Sequence, residues 1–314
     1  MRAVLFLVAA ALAGCAPPSG RPGFVDWLPS HTTVVAHRGG AHLGPENTLR
    51  AIQIAQQPGI EAEIVEIDMH LSADGEVVVI HDRTVDRVTG TGTGCATEED
   101  TANDTFGDVA VTDLTVSELQ ALDAAACFED LDGGAPFAGQ GVKIPTLREV
   151  LTTFPSQRFM LEVKQTEPSI VDDVLAVVTD LGALDRSCFL AFDEQTTIEL
   201  ADKAPDACIS MPSSGIRCWS TESIFPFGGG GCPAYDVMWM PQTNSGFDLK
   251  RQRTVDNIHA AGMPVFFWTI NDPEEMRAVA DLGVDGFITD RPDLGRGLLG
   301  SPGVGAPTDQ EISK

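Results

Sequence analysis

Apolar and polar positions alternate along the chain in a repeating strand-and-helix pattern. Short apolar runs begin near residues 32, 64, 158, 188, 207, 236, 264 and 285. Most are separated by segments with the 3.6-residue period of an amphipathic helix. Eight strands that alternate with helices predict an α/β fold, a (β/α)8 TIM-type barrel. An open doubly wound sheet is the alternative, but no G-x-G-x-x-G motif opens a helix after the first strand.

Residues 64–82 contain several acidic residues and histidines within otherwise apolar strands. Their sequence is IVEIDMHLSADGEVVVIHD. Glu66 and Asp68 are two residues apart, so on a strand both carboxylates point to one face. Asp74-Gly75 predicts a hairpin with a two-residue turn, and that register sets His81 opposite Asp68. A surface hairpin with ordinary charges is the alternative interpretation.

Several segments interrupt the strand-and-helix pattern. Residues 84–140 are rich in Thr, Gly, Asp and Ala, and they predict a small insertion after the hairpin with one short helix near residues 116–122. Residues 213–233 contain a run of four glycines and predict an irregular loop at the barrel rim. The catalytic barrel is expected over residues 32–294, and residues 295–314 are expected to form a flexible tail.

The N-terminal residues have the pattern of an export signal. Residues 1–14 carry one positive charge and then an apolar run that is too short for a membrane span. Leu12-Ala13-Gly14-Cys15 resembles the bacterial lipobox, which predicts a lipidated Cys15, a tether over residues 15–31 and a place in the bacterial cell envelope. A plain cleaved signal peptide is the alternative.

The remaining six cysteines agree with export, since an even number in an exported chain suggests up to three disulfides. Nearest-neighbour pairing is the simplest of several connectivities, and it joins 95 to 127, 188 to 208 and 218 to 232. No C-x-x-C spacing is present, which disfavours a zinc site built from cysteines.

The net charge of −26 disfavours nucleic acid as a partner. It also means that an anionic substrate needs local positive charge or a metal ion. Such groups do fall at the ends of the predicted strands, where a barrel of this class has its active site. They are His37, Arg38, Glu66, Asp68, His81, Glu162 and Lys164.

These groups suit phosphoryl transfer. The carboxylates of Glu66, Asp68 and Glu162 are hard oxygen ligands for Mg²⁺ or Ca²⁺. Arg38 offers a bidentate fork and Lys164 a point charge for a phosphate. His37 and His81 can share general acid and base duty. We also predict Trp268 as a substrate contact; packing in the core is the alternative for it.

The ordered set of motifs resembles the glycerophosphodiester phosphodiesterase family. The motifs are His37-Arg38-Gly39, Glu46-Asn47-Thr48, Glu66-x-Asp68, Asp74-Gly75, His81-Asp82, Ile144-Pro145-Thr146-Leu147, Glu162-x-Lys164, Trp268-Thr269-Ile270-Asn271, and Gly283-Val284-Asp285-Gly286 followed by Thr289-Asp290. Each motif alone is weak, but their order along nearly the whole mature chain is specific. Residues 59–63, which precede the second strand, differ from the residues that the family usually has there.

The resemblance implies a barrel that hydrolyses small-molecule glycerophosphodiesters to sn-glycerol 3-phosphate and an alcohol. It implies a metal held by Glu66, Asp68 and Glu162, acid and base roles for His37 and His81, and phosphate contacts from Arg38 and Lys164. It further implies attack by the glycerol 2-hydroxyl, which gives a cyclic phosphate that water then opens.

Two other functions stay open from the sequence. A lipid anchor brings membrane substrates within reach, so the first is a lysophospholipase D or another phospholipase-type phosphodiesterase. The second is a catalytically inactive, lipid-anchored binding protein, which should have lost some of the catalytic residues.

Overall fold

The structure, a computed structural model, describes residues 23–92, 94–95, 107–224 and 231–299 of the chain. These residues contain eleven strands: β1 Thr33–Ala36, β2 Ile64–Leu71, β3 Val77–Val79, β4 Arg158–Val163, β5 Ser187–Leu190, β6 Cys208–Ile209, β7 Met238–Pro241, β8 Thr243–Asn244, β9 Phe247–Asp248, β10 Val265–Trp268 and β11 Gly286–Thr289. Eight of them are the strands that the sequence predicts.

The eight strands form one curled parallel sheet in the order β6-β5-β4-β2-β1-β11-β10-β7. The two end strands meet, because a parallel bridge joins Ser210, after β6, to Val237, before β7. The amide of Met211 donates to the carbonyl of Val237 at 3.1 Å, and Asp236 donates to Ile209 at 3.1 Å. The sheet therefore closes on itself, which confirms the predicted TIM-type fold.

Helices surround the sheet. Those described are Phe24–Trp27, Leu49–Ala55, Asp86–Thr89, Val116–Leu119, Leu147–Thr153, Val171–Asp180, Glu194–Lys203, Ser213–Ile224, Gln252–Ala260, Pro273–Asp281 and Pro292–Leu299. Side-chain caps fix several of their N-termini. Thr146 and Glu149 form a capping box, Asp193 accepts from the amide of Thr196, and Asp272 accepts from the amides that follow it.

The prediction of an irregular loop over residues 213–233 is wrong for its first half. Ser213–Ile224 is a helix whose buried side includes Ile216, Trp219, Ser220 and Ser223, which have helical spacing. Two serines and Gly215 at its start hide this period. Gly215 is there for packing, because a side chain would collide with the sulfur of Met211. Residues 225–230 lie outside the described residues.

Residues 24–27 and 295–299, which were predicted as parts of the tether and the tail, are folded. Phe24 lies in the barrel interior against Val35 and Ile64, and its exposed fraction is 2%. The segment is folded from there because its apolar side chains close the N-terminal end of the barrel. The helix Pro292–Leu299 likewise packs on the barrel, where the buried Arg296 donates to Glu63 at 2.9 Å. Residues 1–22, with Cys15 and the signal sequence, and residues 300–314 lie outside the described residues.

The hairpin has a different register from the predicted one. Met69 pairs with Val79, and the amide of Ile80 donates to the carbonyl of Asp68, so Ile80 rather than His81 is opposite Asp68. The loop has three residues instead of two, because Gly75 adopts a left-handed conformation (φ +83°) after the turn. As predicted, the return strand β3 pairs with β2 and lies off the barrel path.

The insertion has a small core of its own that joins the hairpin. Val78 and Ile80 of the hairpin pack with Val111 and Leu119 of the insertion. A bridge between Thr84 and Ala110 joins the start of the insertion to its middle part. The predicted short helix is present as Val116–Leu119.

All three disulfides join nearest neighbours, as the simplest pairing predicts. Cys95 bonds Cys127, Cys188 bonds Cys208, and Cys218 bonds Cys232. The middle one crosses between the adjacent barrel strands β5 and β6, where the two cysteines are register partners. In the part of the chain that the structure describes, none of the helices combines the length and apolar character needed to cross a bilayer.

We expect Phe24→Ala to lower the free energy of unfolding by about 3–5 kcal/mol, because it leaves a cavity at the closed end of the barrel. Chemical denaturation of the purified protein measures this. Phe247→Ala is the matched control, since Phe247 is 46% exposed and its loss should change stability by about 0.5 kcal/mol or less. Equal effects of the two substitutions would contradict the placement of Phe24.

Candidate active site

Three carboxylates meet at the C-terminal ends of β2 and β4. The inward side of β2 carries Ile64 and then, at successive alternate positions, Glu66 and Asp68. The parallel register sets Asp68 directly beside Glu162 of β4. One oxygen of each of the three acids lies within 4.8 Å of the others, and all three residues are buried. This is a cluster of hard oxygen donors suited to one divalent cation.

Glu66 is the carboxylate of this cluster whose negative charge is least well compensated. Its Oε2 accepts from the amide of Arg38 at 2.8 Å, but its buried Oε1 has no hydrogen-bond partner among the described residues. Burial, together with the charge of Asp68, raises the pKa of Glu66 to about 8. A buried carboxylate oxygen with no donor is costly unless a cation completes it, so the residues present fit a metal site.

Asp68 is better compensated. Burial alone would raise the pKa of its carboxyl, but the neighbouring side chains of His81, Lys164 and Arg38 hold that pKa well below its usual range. Asn47 also donates its side-chain amide to Asp68 Oδ2 at 2.8 Å. The ionised form of Asp68 is thus stabilised in place.

Two residues of the loop after β1 have unusual backbones. Arg38 and Asn47 both have positive φ, at 50° and 58°. Asparagine tolerates this region, whereas arginine rarely adopts it. The conformation points the amide of Arg38 at Glu66, and the amide of Asn47 donates to the carbonyl of Arg38 at 2.8 Å. The loop therefore supplies donors to both carboxylates of β2 at the expense of local strain.

Lys164 brings positive charge to the open side of the carboxylates. Its Nζ lies 3.0 Å from Glu162 Oε1 and 3.8 Å from Asp68 Oδ1. Burial alone would lower the pKa of the ammonium, but Glu162 and Asp68 raise it above its usual value. Lys164 therefore stays charged beside the cluster and faces the pocket.

His37 follows β1 and is held by an acid from the last strand. Its Nδ1 lies 2.6 Å from Asp290 Oδ1, and Asn271 donates to the other oxygen of Asp290 at 2.6 Å. Burial alone would lower the pKa of His37, but the hydrogen bond and charge of Asp290 raise it to about 9. With Nδ1 engaged, Nε2 is the ring atom available to a substrate.

His81 has a similar arrangement on the other side of the pocket. Its Nδ1 lies 2.7 Å from Asp82 Oδ1, so Nε2 is again the available atom. Its backbone carbonyl accepts from Nε2 of His70 at 3.1 Å. Burial lowers the pKa of His70 to about 4, so His70 is a neutral donor that anchors this turn. Behind Asp82 lie Arg87 and Glu46, which connect to Arg38.

These groups line a pocket of about 200 Å³ with two unlike sides. The polar side is formed by His37, Arg38, Glu66, His81, Glu162 and Lys164. The opposite side is mostly apolar and includes Leu190, Phe192, Met211, Ile216, Trp239 and Trp268. Phe192 packs edge-on against Trp268 with ring centroids 5.6 Å apart. Trp268 thus lines the pocket and also packs against a neighbour, and its contact with the substrate stays a prediction.

The structure brings together every site residue that the sequence analysis names within the described part of the chain. Asp68 lies just behind the lining, in the carboxylate cluster. The residues that the sequence analysis left without a role are Glu46, Asn47, Asp82, Arg87, Asn271 and Asp290. Most of them stand inside motifs that were recognised, but only the fold shows which group each one contacts.

The arrangement combines a cation site, two positively charged side chains and two imidazoles oriented by acids. That set can bind a phosphate ester, screen its charge and move protons on both sides of it. No step in such chemistry requires a redox group or a covalent nucleophile from the protein.

Comparison with known proteins agrees with this chemistry. The family model described as "Glycerophosphoryl diester phosphodiesterase family" matches residues 37–213 and 228–294, well over half of the chain. A glycerophosphodiester phosphodiesterase of Caldanaerobacter subterraneus is 28% identical over 275 residues, which cover 83% of this chain and 95% of that protein.

Solved structures agree as well. A phosphodiesterase from Oleispira antarctica, in complex with the product sn-glycerol-3-phosphate, superimposes with a TM-score of 0.65 at 25% identity over 86% of this chain and 96% of that one. A glycerophosphodiester phosphodiesterase from Agrobacterium tumefaciens has a TM-score of 0.63 at 25% identity over 84% and 98%.

We expect Glu66→Gln to remove the stabilisation of the protein by a divalent cation. In the wild type, millimolar Mg²⁺ or Ca²⁺ should raise the melting temperature, because the folded state alone has the site. Without cation, the folded-state pKa of Glu66 is raised from 4.5 to about 8. Its stabilising contribution is therefore complete below pH 4.5 and is lost as pH rises through 8. Cation-free Glu66→Gln should gain on the wild type by roughly 1 kcal/mol or more over that range.

Thermal denaturation between pH 5 and 9, with and without cation, tests both statements. Glu63→Gln is the matched control, because Glu63 is a shielded carboxylate that pairs with Arg296 at the opposite end of the barrel. It should keep the cation-induced rise. A rise of equal size in Glu66→Gln would contradict the metal site.

Proposed function

The chain belongs to the glycerophosphoryl diester phosphodiesterase family and is a phosphoric diester hydrolase, and we propose that it hydrolyses glycerophosphodiesters to sn-glycerol 3-phosphate and an alcohol with the help of a divalent cation. The observation that carries this proposal is the convergence of three buried carboxylates and two acid-held histidines on one pocket. The product bound to the Oleispira antarctica phosphodiesterase supports the same substrate class.

Glu66, Asp68 and Glu162 would hold the cation, and the unpartnered Oε1 of Glu66 supports this assignment. When bound, such a cation neutralises phosphate oxygens and lowers the pKa of a coordinated hydroxyl. Both Mg²⁺ and Ca²⁺ accept an all-oxygen ligand set. Arg38 and Lys164 add positive charge on the pocket side, so a negative phosphodiester meets cations in an otherwise acidic protein.

His37 and His81 share the proton transfers. Each has its Nδ1 bound to a carboxylate, Asp290 or Asp82, so each presents Nε2 to the pocket. One imidazole takes the proton of the glycerol 2-hydroxyl while that oxygen forms its bond to phosphorus. The other gives a proton to the departing alcohol oxygen as its bond to phosphorus breaks.

This first step yields a cyclic glycerol phosphate and the free alcohol. In the second step the roles reverse, and water, deprotonated by one imidazole, adds to phosphorus. The ring bond to the 2-oxygen breaks, and that oxygen takes a proton from the other imidazole. Both histidines are restored, and sn-glycerol 3-phosphate leaves. A substrate without the 2-hydroxyl cannot react by this route.

The apolar side of the pocket favours one second candidate. Leu190, Phe192, Met211 and Ile216 offer an apolar wall that suits an acyl chain. A lysophospholipase D activity on the same catalytic groups is therefore the alternative, and its substrate differs from the first in carrying an acyl chain on the glycerol.

We expect the purified protein to release sn-glycerol 3-phosphate from glycerophosphocholine, and His37→Ala and His81→Ala each to lower kcat/KM by about 100-fold or more. A coupled glycerol-3-phosphate assay measures the release, and a chelator should abolish it. His259→Ala is the control, because this half-exposed histidine pairs with Asp285 away from the pocket.

Other results of these measurements would support a different function or remove part of the proposal. Faster release of choline from lysophosphatidylcholine than from glycerophosphocholine would favour the lysophospholipase D. Hydrolysis unchanged in both histidine variants would favour a binding protein with a contaminating activity. Full activity in the chelator would remove the cation from the proposal, and turnover of a 2-deoxy substrate would remove the cyclic phosphate.

We also propose that the chain is exported and anchored to a bacterial membrane through a lipid on Cys15. Leu12-Ala13-Gly14-Cys15 supports this, as do three disulfides, which persist in oxidising compartments. Cys15→Ser should abolish labelling with a radioactive fatty acid and move the protein from the membrane pellet to the soluble fraction of a bacterial host. Unchanged labelling and fractionation would contradict the anchor.

A further inference from the structure

Arg87 lies where two separate parts of the active site come closest behind the pocket. Its Nε donates to Asp82 Oδ2 at 2.5 Å, and its two terminal nitrogens donate to both oxygens of Glu46 at 2.7 and 2.5 Å. The side chain is 7% exposed. The described residues that line the pocket do not include it, so Arg87 lies behind the pocket wall.

Both of its carboxylate partners contact a residue that does face the pocket. Asp82 binds Nδ1 of His81 through its other oxygen, at 2.7 Å. Glu46 accepts from the terminal nitrogen of Arg38 at 3.2 Å. Arg87 is therefore the central member of a continuous buried chain that runs from His81 through Asp82, Arg87 and Glu46 to Arg38.

The geometry of the guanidinium suits this position. Its planar fork meets the two oxygens of Glu46 in parallel and leaves Nε for Asp82 at a fixed angle. An ammonium is a single point donor and cannot hold both carboxylates in one orientation. The chain is also balanced in charge, with two guanidinium groups for two carboxylates, so loss of Arg87 would leave Asp82 and Glu46 free to turn toward other donors.

We propose that Arg87 is a positioning residue that sets the orientation of the His81 imidazole and of the Arg38 guanidinium together. This inference rests on the proposed function, because it assigns these two groups to the reaction. It also gives the insertion a role: Arg87 lies in its first helix, Asp86–Thr89, so the insertion supplies part of the active-site support.

The insertion holds the backbone of Arg87 from both sides. The fully buried carboxylate of Asp86 accepts from the amides of Asp108 and Val109 at 3.2 and 3.1 Å. The amide of Cys127 donates to the carbonyl of Val88 at 3.3 Å, and the Cys95–Cys127 disulfide packs beside Gly90 at the end of the helix. Arg87 is thus placed on a short, tightly anchored segment.

The test replaces Arg87 with Ala and, as a second variant, with Lys. We expect kcat on glycerophosphocholine to fall about 10–100-fold in Arg87→Ala, the range for partners that orient catalytic groups, and to fall in Arg87→Lys as well. Guanidinium chloride at sub-denaturing concentration should restore several-fold activity to Arg87→Ala. Arg296→Ala is the matched control, since Arg296 is an equally buried arginine paired with Glu63 at the other end of the barrel; it should keep its kcat and show no rescue.

A second measurement does not depend on turnover. Nitrogen-15 NMR of histidine-labelled protein reports the tautomer of each of the six histidines, and His81→Ala identifies the His81 signal. In the wild type His81 should carry its proton on Nδ1, and in both Arg87 variants it should become a mixture. Binding of sn-glycerol 3-phosphate, measured by calorimetry, should weaken several-fold in the same variants because Arg38 is less well held.

The outcomes separate the two proposals. If Arg87→Ala and Arg87→Lys keep the wild-type tautomer of His81, or if both keep the wild-type kcat, the positioning role is wrong. An equal loss in Arg296→Ala would also overturn it, because the effect would then be general destabilisation. If the wild type does not hydrolyse glycerophosphodiesters, the proposed function fails, and the tautomer measurement still decides the role of Arg87.

Discussion

Three carboxylates packed within 4.8 Å of one another are the constraint on which the rest of the active site depends. The register of β2 and β4 enforces it, because Asp68 and Glu162 are lateral partners in the sheet and Glu66 precedes Asp68 on the same face. Like charges at this distance in a buried site repel strongly. The surrounding donors, Arg38, Asn47 and Lys164, offset only part of that repulsion, and within the described part of the chain one oxygen of Glu66 stays unpaired.

The hydrogen-bond donors and positive side chains around the cluster have two roles. Asn47 and the amide of Arg38 act from the β1 loop and hold the carboxylates in place. Lys164 and the Arg38 side chain balance their charge on the side of the pocket. The left-handed backbones of Arg38 and Asn47 belong to the first role, because an ordinary turn there would aim its amides elsewhere. Local strain in this loop is thus offset by the electrostatic stabilisation of the acids.

Much of this arrangement could be predicted from the sequence, because it follows from periodicity. The apolar runs predict the eight strands, and the two-residue spacing of Glu66 and Asp68 predicts their common face. The partners that hold the site could not be predicted in this way. Asp290 contacts a histidine that is far from it in sequence, and only closure of the barrel brings β1 and β11 together.

Where the prediction from sequence was wrong, the cause was either a tertiary contact or a single backbone angle. The left-handed Gly75 lengthens the hairpin loop by one residue and moves His81 out of register with Asp68, yet His81 still reaches the pocket because it lies beyond the end of β3. The helix Ser213–Ile224 forms despite Gly215 because its apolar side is buried on the barrel. The Thr- and Gly-rich insertion looks peripheral by composition, yet it supplies Arg87.

The two histidines have similar carboxylate partners, but different groups hold those carboxylates, and the proposed mechanism gives this difference a use. Asp290 is held by the neutral amide of Asn271, so its charge acts mainly on His37 and raises the pKa of that imidazole to about 9. Asp82 divides its charge between His81 and the guanidinium of Arg87. Titratable groups of one type in unlike environments are a usual basis for separate acid and base roles, and the proposed mechanism assigns such roles to this pair. In this protein the asymmetry comes from the second residue behind each histidine, an amide on one side and an arginine on the other.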